Sequence, residues 1–292
     1  MAARRRFGPM TGRRASTTGR AALLALLAVV PIVAVVGVSL TAAGLQSVGL
    51  MPFIGPPQLS ADAWTSETGE LIRSSVTSVY IAAVSTVLSL VVGFMLAAYV
   101  LAMHRMGRIV ETLSAATIPI PHVIGAGAIG LLLSDSGFLE RLLGMPDAFP
   151  ALVSGPWFVA VIAEYAWKES AFVALVVLGS ISRSVGDLCD AAATLGASAG
   201  QRIVRVVLPL AVPSLAVSAA IVFVYTLGSY EAAWLLGPTS PEPLPVRAVR
   251  LFTSVDLAAR PQAMVTALVS VAVSVVVIIT AVLVLRRHRS LR

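Results

Sequence analysis

The residues with chemical potential in this chain are ionisable groups set in apolar surroundings. Between residues 151 and 181 an otherwise apolar run carries Glu164, Lys168 and Glu169. An ionisable group inside a lipid-spanning segment costs roughly 2.5 to 3.5 kcal/mol on insertion scales, so each must be paired or must face a polar path. Glu164 precedes Lys168 by four positions, the favourable order for an intrahelical pair, and that pair is the expected arrangement. Glu231 stands six residues before Gly237, roughly 9 Å from the end of its helix at 1.5 Å per residue. Glu164, Lys168, Ser229, Tyr230 and Glu231 are the candidates for lining a polar path, and their acidity favours a cationic or metal-bound solute. His122 follows Pro119-Ile120-Pro121 and reads as a packed, hydrogen-bonded histidine, with Gly125 and Gly127 allowing close helix approach. A membrane-embedded, metal-dependent hydrolase has no support: the pattern H-E-x-x-H is missing, and His104, His122 and His288 stand apart. The pattern G-x-x-x-x-G-K-[ST] is also missing, so no ATP site is expected in this chain. Cys189 is the single cysteine, which leaves no internal disulfide and no cysteine-based metal site.

The elements that must position these groups are membrane helices. Of 292 residues, 58% are hydrophobic and 12% charged, against roughly 25% charged in a soluble domain, and the mean hydropathy is +0.92. A soluble enzyme is excluded on that composition. A spanning helix needs roughly 20 apolar residues, and six stretches qualify: 21–45, 74–103, 110–134, 151–181, 206–237 and 262–285. The third, fourth and fifth contain prolines (Pro119 and Pro121; Pro156; Pro209 and Pro213), which predicts kinked helices in an all-α bundle.

Fifteen of the basic residues fall on one side of these spans and five on the other, with Lys168 inside a span. The excess marks the cytoplasmic side, so both termini are expected there. The net charge of +7 thus reads as membrane orientation, not nucleic-acid binding. Residues 1–20 are expected to be a basic tail held near anionic lipid, and residues 21–292 the six-span domain. A cleaved twin-arginine signal at Arg4-Arg5-Arg6 is disfavoured, because the first span exceeds the usual apolar region of about 7 to 15 residues.

One cytoplasmic segment, 183–207, is polar and patterned. Ser184 with Asp187 three residues later fits a capping box, so a short amphipathic helix is expected to begin there. Leu188, Ala192 and Leu195 recur at helical spacing, Asp187, Asp190 and Thr194 form a polar stripe, and Gly196 suits a left-handed helix end. The series Asp190-Ala191-Ala192, three residues, Gly196, nine residues, Val206, one residue, Leu208-Pro209 resembles the Glu-Ala-Ala loop of type I permease subunits of ATP-binding-cassette importers. Aspartate replaces the family's glutamate and valine its isoleucine.

That resemblance extends over residues 74–285. Trp167-Lys168 with Phe172 is similar to the fourth span of such permeases. Leu227 to Glu231, leading to Leu235-Leu236-Gly237, resembles the polyamine, iron, thiamine and phosphonate branch, although Ser229 stands where polyamine members carry an acid. The resemblance implies a MetI-like fold and a coupling helix through which Asp190, Ala191, Ala192, Gly196, Val206, Leu208 and Pro209 meet a cytoplasmic ATPase. It also implies a second permease, identical or paralogous, an external substrate-binding protein, and ATP with Mg on the partner ATPases. A spermidine/putrescine-type solute is the nearest expectation. The alternative is a secondary transporter driven by an ion gradient, since kinked helices and buried charges suit that class too.

Overall fold

The computed structural model describes the backbone of residues 14–145 and 148–290, and side chains from residue 25 onward except at 104, 183, 184, 284 and 287–290. Residues 1–13 of the expected tail lie outside the described residues, as does the Ser184 hydroxyl. Among the described residues the chain is helical throughout, with no strand.

The order is α1 (Arg14–Ser47), α2 (Asp62–Thr65), α3 (Thr68–Ala102), α4 (His104–Thr117), α5 (His122–Leu133), α6 (Phe138–Leu143), α7 (Val159–Thr194), α8 (Ala199–Arg202), a π-helical turn (Ile203–Val207), α9 (Leu208–Gly228), α10 (Glu231–Leu236), α11 (Leu244–Thr253), a 3-10 turn (Leu257–Ala259) and α12 (Arg260–Ser290). Five described helical segments are long and apolar enough to cross a membrane, and six if the bent α7 counts as one.

Three of the expected spans differ in shape. The span expected at 110–134 is broken at residues 118–121 between α4 and α5, and the segment apolar enough to cross is His122–Leu143, which leaves α4 outside it. Pro119 and Pro121 have no N–H to give the helical ladder, and Pro121 is extended (ψ 142°). The span expected to start at 151 begins at Val159, so Pro156 lies in the preceding loop and kinks nothing. The fifth ends at Gly228, and Ser229 is extended (ψ 134°) before α10 starts at Glu231.

Packing follows residue size. Along α3 the buried positions include Ser74, Ser78, Ala82, Ser85, Ser89, Gly93 and Ala97, a seam of small side chains on one helix face that lets backbones approach closely. A Cβ on Gly93 would stand 2.6 Å from the Ser170 carbonyl oxygen and 2.6 Å from Val173 Cβ, so α3 and α7 touch there. Two apolar cores result. One, around Ile81, Val161, Tyr165, Ala233 and Leu236, lies at the α10 end of the bundle. The other, around Val173, Val177, Ile181, Val185, Val207 and Val222, lies toward the α8 end. By contrast, the apolar window of α1 is not buried at all and α1 packs on α12.

Candidate functional site

At the α8 end, α7 turns by 72° between Val159–Ser182 and Val185–Thr194 while remaining helical. No helix begins at Ser184, contrary to the capping expectation, because the backbone is already helical there. The turned arm is nevertheless the expected amphipathic element. Asp190 and Ala191 are exposed, Ala192 is half-buried, and Leu195 is 88% exposed. Val185 anchors the arm in the core.

Gly196 closes the arm with φ +83°. Its N–H donates to the Ala193 carbonyl at 2.9 Å and the Ala197 N–H to Ala192 at 3.0 Å, a left-handed helix end that favours glycine. The capping box of this segment lies further on. Ser198 Oγ accepts from the Gln201 N–H, and Gln201 Oε1 accepts from the Ser198 N–H at 2.9 Å, which starts α8. The letters Gly196-Ala197-Ser198-Ala199-Gly200 also match the nucleophile-elbow spacing, but that motif needs a strand feeding the serine. No strand is described, and Ser198 Oγ is engaged as a cap.

The chain re-enters the bundle through the π turn, where the Leu208 N–H donates to the Ile203 carbonyl five residues back. Pro209 explains the widening: a proline ring crowds the carbonyl four residues before it, and a wider turn moves the Arg205 carbonyl aside. Val206 is half-buried, Val207 is buried in the core, and Leu208 and Pro209 open α9. The segment Asp190 to Pro209 is thus an exposed, capped element held by Val185 before it and Val207 near its end.

Toward the α10 end, α5 and α7 hold a second polar group. Glu164 is fully buried. Its carboxylate meets His122 Nδ1 at 3.0 Å, and His122 Nε2 lies 3.6 Å from Glu169 Oε1. Lys168 Nζ donates to the Ile120 carbonyl at the break between α4 and α5. The expected Glu164–Lys168 pair is therefore not made: each side chain reaches across to the broken span instead of along its own helix. A Cβ on Gly125 would lie 2.9 Å from Glu164 Oε1, so a bare backbone at Gly125 makes room for the carboxylate, whereas Gly127 faces open space. His122 also stands against Tyr225 (ring centroids 5.1 Å apart) and Tyr165 (6.0 Å).

Of the other path candidates, Ser229 is buried at the α9–α10 break, and its hydroxyl has no partner among the described residues. Glu231 is exposed at the start of α10, and Tyr230 stacks on Trp234 at 5.9 Å. Helix α10 packs on α5 and α7, which brings these residues to the same end of the bundle. His122, Tyr165, Glu169 and Tyr225 belong to this group as well and are absent from the sequence-based candidates. The signal for His122 was its place directly after Pro-Ile-Pro.

Residues 90–290 match the family described as the binding-protein-dependent transport system inner membrane component. The chain belongs to that family. Its matched region contains both polar groups and everything from the last part of α3 onward. Among curated proteins, the trehalose transport system permease protein SugA of Mycobacterium tuberculosis is 31% identical over 147 residues, 47% of this chain and 45% of that protein, in each of two strains. The chain thus spans less than half the length of that relative.

Among solved structures, a bacterial ABC transporter involved in the import of the acidic polysaccharide alginate has a TM-score of 0.73 at 22% identity, covering 93% of this chain and 97% of that one. The inward-facing MetNI methionine ABC transporter has a TM-score of 0.60 at 16% identity, covering 76% and 98%. The all-α, multi-pass fold of this inner membrane component is therefore the one these transporters use.

Proposed function

We propose that this chain is the permease subunit of an ATP-driven importer, one half of a translocation path that a second permease completes. The reading is carried by the segment from Asp190 to Pro209: its spacing is the family's loop spacing, and it is exposed while Val185 before it and Val207 near its end are fixed in the core. A capped, rooted helix passes rigid-body movement of a docked ATPase into the bundle, which a slack loop would absorb. Asp190, Ala191, Ala192 and Gly196 form the docking arm, and Val206, Leu208 and Pro209 the return. Both termini are cytoplasmic in this reading, ATP and Mg sit on the partner ATPases, and an external binding protein delivers the solute at the α10 end.

For the solute, a saccharide is the favoured class over a polyamine. Supporting this, the curated relative at 31% identity is a trehalose permease, whereas the solved structures at 22% and 16% identity, an alginate importer and a methionine transporter, differ in solute and mark the fold. The buried acid that would attract a cation, Glu164, already faces His122. Glu164, Lys168, Ser229, Tyr230 and Glu231 remain the proposed path residues, joined by His122 and Glu169.

The test is uptake by the complex purified with its co-purifying subunits and reconstituted in liposomes. Trehalose accumulation that requires ATP, and is abolished by Asp190→Lys at unchanged chain abundance, is the expected outcome. Accumulation driven by an ion gradient without ATP would refute it in favour of a secondary transporter.

A further inference from the structure

Beside α10 lies a cavity of about 300 Å³ whose wall combines an aromatic platform with a paired acid and base. Trp234 is 60% exposed, and Tyr230, which also lines the cavity, stacks on it with the ring planes only 20° apart. Across the cavity, Arg250 Nε donates to both carboxylate oxygens of Glu242 at 2.8 Å. Val246 and Val249 of α11 supply the apolar part of the lining. Thr239, Glu242 and Arg250 also line a second, polar cavity of about 530 Å³, so the ion pair borders both.

This combination matches the two faces of a sugar. A pyranose presents C–H groups on one side, which stack on an indole, and hydroxyls around its edge, which need donors and acceptors. Ligand clefts are mostly apolar with a few placed polar groups that fix orientation. Arg250 is held through Nε, which leaves its terminal N–H groups as donors, and the Glu242 carboxylate keeps lone pairs as acceptors. An aromatic platform also suits a cation, but the charges here are already matched. Glu242 is neutralised by Arg250, Glu67 by Arg247 and Glu70 by Arg73. A tryptophan serving only as an interfacial anchor would need no cavity and no ion pair beside it.

We propose that this cavity is a saccharide subsite at the outer mouth, with Trp234 as the stacking platform and the Glu242–Arg250 pair as the hydroxyl-recognition group. The inference rests on the permease reading for its place outside the membrane. It puts sugar recognition partly in this chain, before the solute reaches the path.

The test is saturation-transfer difference NMR of the full chain in lipid nanodiscs, with trehalose and an alginate trisaccharide as probes and spermidine as competitor. Saturation should reach the ring C–H protons of at least one saccharide. Trp234→Ala should weaken that binding by about tenfold, equivalent to about 1.4 kcal/mol. Trp234→Phe should largely retain it, which guards against a folding defect, Glu242→Gln should weaken it, and spermidine should not compete. Transfer to neither saccharide, transfer unaffected by Trp234→Ala and Glu242→Gln, or displacement by spermidine would each overturn the subsite. ATP-driven uptake is a separate measurement: if it persists while saccharide binding is absent, the subsite fails and the permease reading stands. If saccharide binds and uptake needs no ATP, the permease reading fails alone.

Discussion

Removing the imidazole at position 122 takes the partner from a carboxyl group that the bundle has sealed in. Glu164 is fully buried, and within the described residues its carboxylate is matched by His122 at 3.0 Å. His122→Ala strips that partner and also withdraws the ring from Glu169, 3.6 Å away. Breaking one side of a buried pair costs about 3 to 5 kcal/mol, because the remaining group is left without compensation, whereas replacing both sides by apolar groups is often neutral. The pair of variants His122→Ala and His122→Phe/Glu164→Leu separates these two effects. Thermal unfolding of the detergent-solubilised chain, followed by size-exclusion fluorescence, should show a large loss for the single variant and recovery of most of it in the double. A loss below about 1 kcal/mol in the single variant, the range of an ordinary surface pair, would refute the idea that His122 compensates Glu164. A double variant as unstable as the single would show that shape at the α5–α7 contact matters more than charge.

Gly93→Ala should destabilise the bundle by about 1 to 3 kcal/mol, the usual cost of forcing a methyl into a packed contact, because the new Cβ meets Ser170 and Val173 at 2.6 Å; the same unfolding assay reads it. Gly196→Val places a β-branched residue at φ +83°, a strain of about 1 to 2 kcal/mol confined to an exposed helix end. It should lower ATP-driven uptake well before it lowers abundance. In a Cys189→Ser background, cysteines at Ser60 and Ser240 should react with an impermeant thiol reagent in intact cells and one at Ser198 should not, and the reverse pattern would invert the proposed orientation. Ser198→Ala removes a cap worth about 1 kcal/mol and should reduce coupling without changing the labelling pattern.

The length and apolar character of the helices were legible because lipid demands both, and the loop from Asp190 to Pro209 was legible because its spacing is a pattern in one dimension. What hydropathy could not supply was the path of the chain inside an apolar run. Residues 110–134 contain a single acid, Glu111, and read as one run, yet Pro119 and Pro121 divide them, the apolar segment starts only at His122, and that division brings His122 and the Ile120 carbonyl within reach of α7. Given those two groups, Glu164 and Lys168 leave each other. Spacing along one helix records only the partners on that helix, so the cross-helix alternative stayed hidden. The start of the amphipathic arm is misplaced for a related reason: Ser184 and Asp187 spell a cap, but a helix that bends without ending needs none. Ser198 and Gln201, fourteen residues further on, spell one that is made.

The widened turn at Ile203–Val207 sets the phase between two rotating parts. A π turn holds one residue more than the α-helical path it replaces, and each residue of an α-helix advances the chain by about 100° around its axis. The wider turn absorbs that residue, so the parts of the chain on either side of it keep their relative direction. Were the turn to close to regular α-helical bonding with the residue retained, α8 and the arm before it would swing by about that angle relative to α9. The proposed docking face would then point away from where the bundle now presents it, although every side chain on it was intact. The turn therefore works as a clock setting: it fits nine residues between Gly196 and Val206 without changing which way the arm faces.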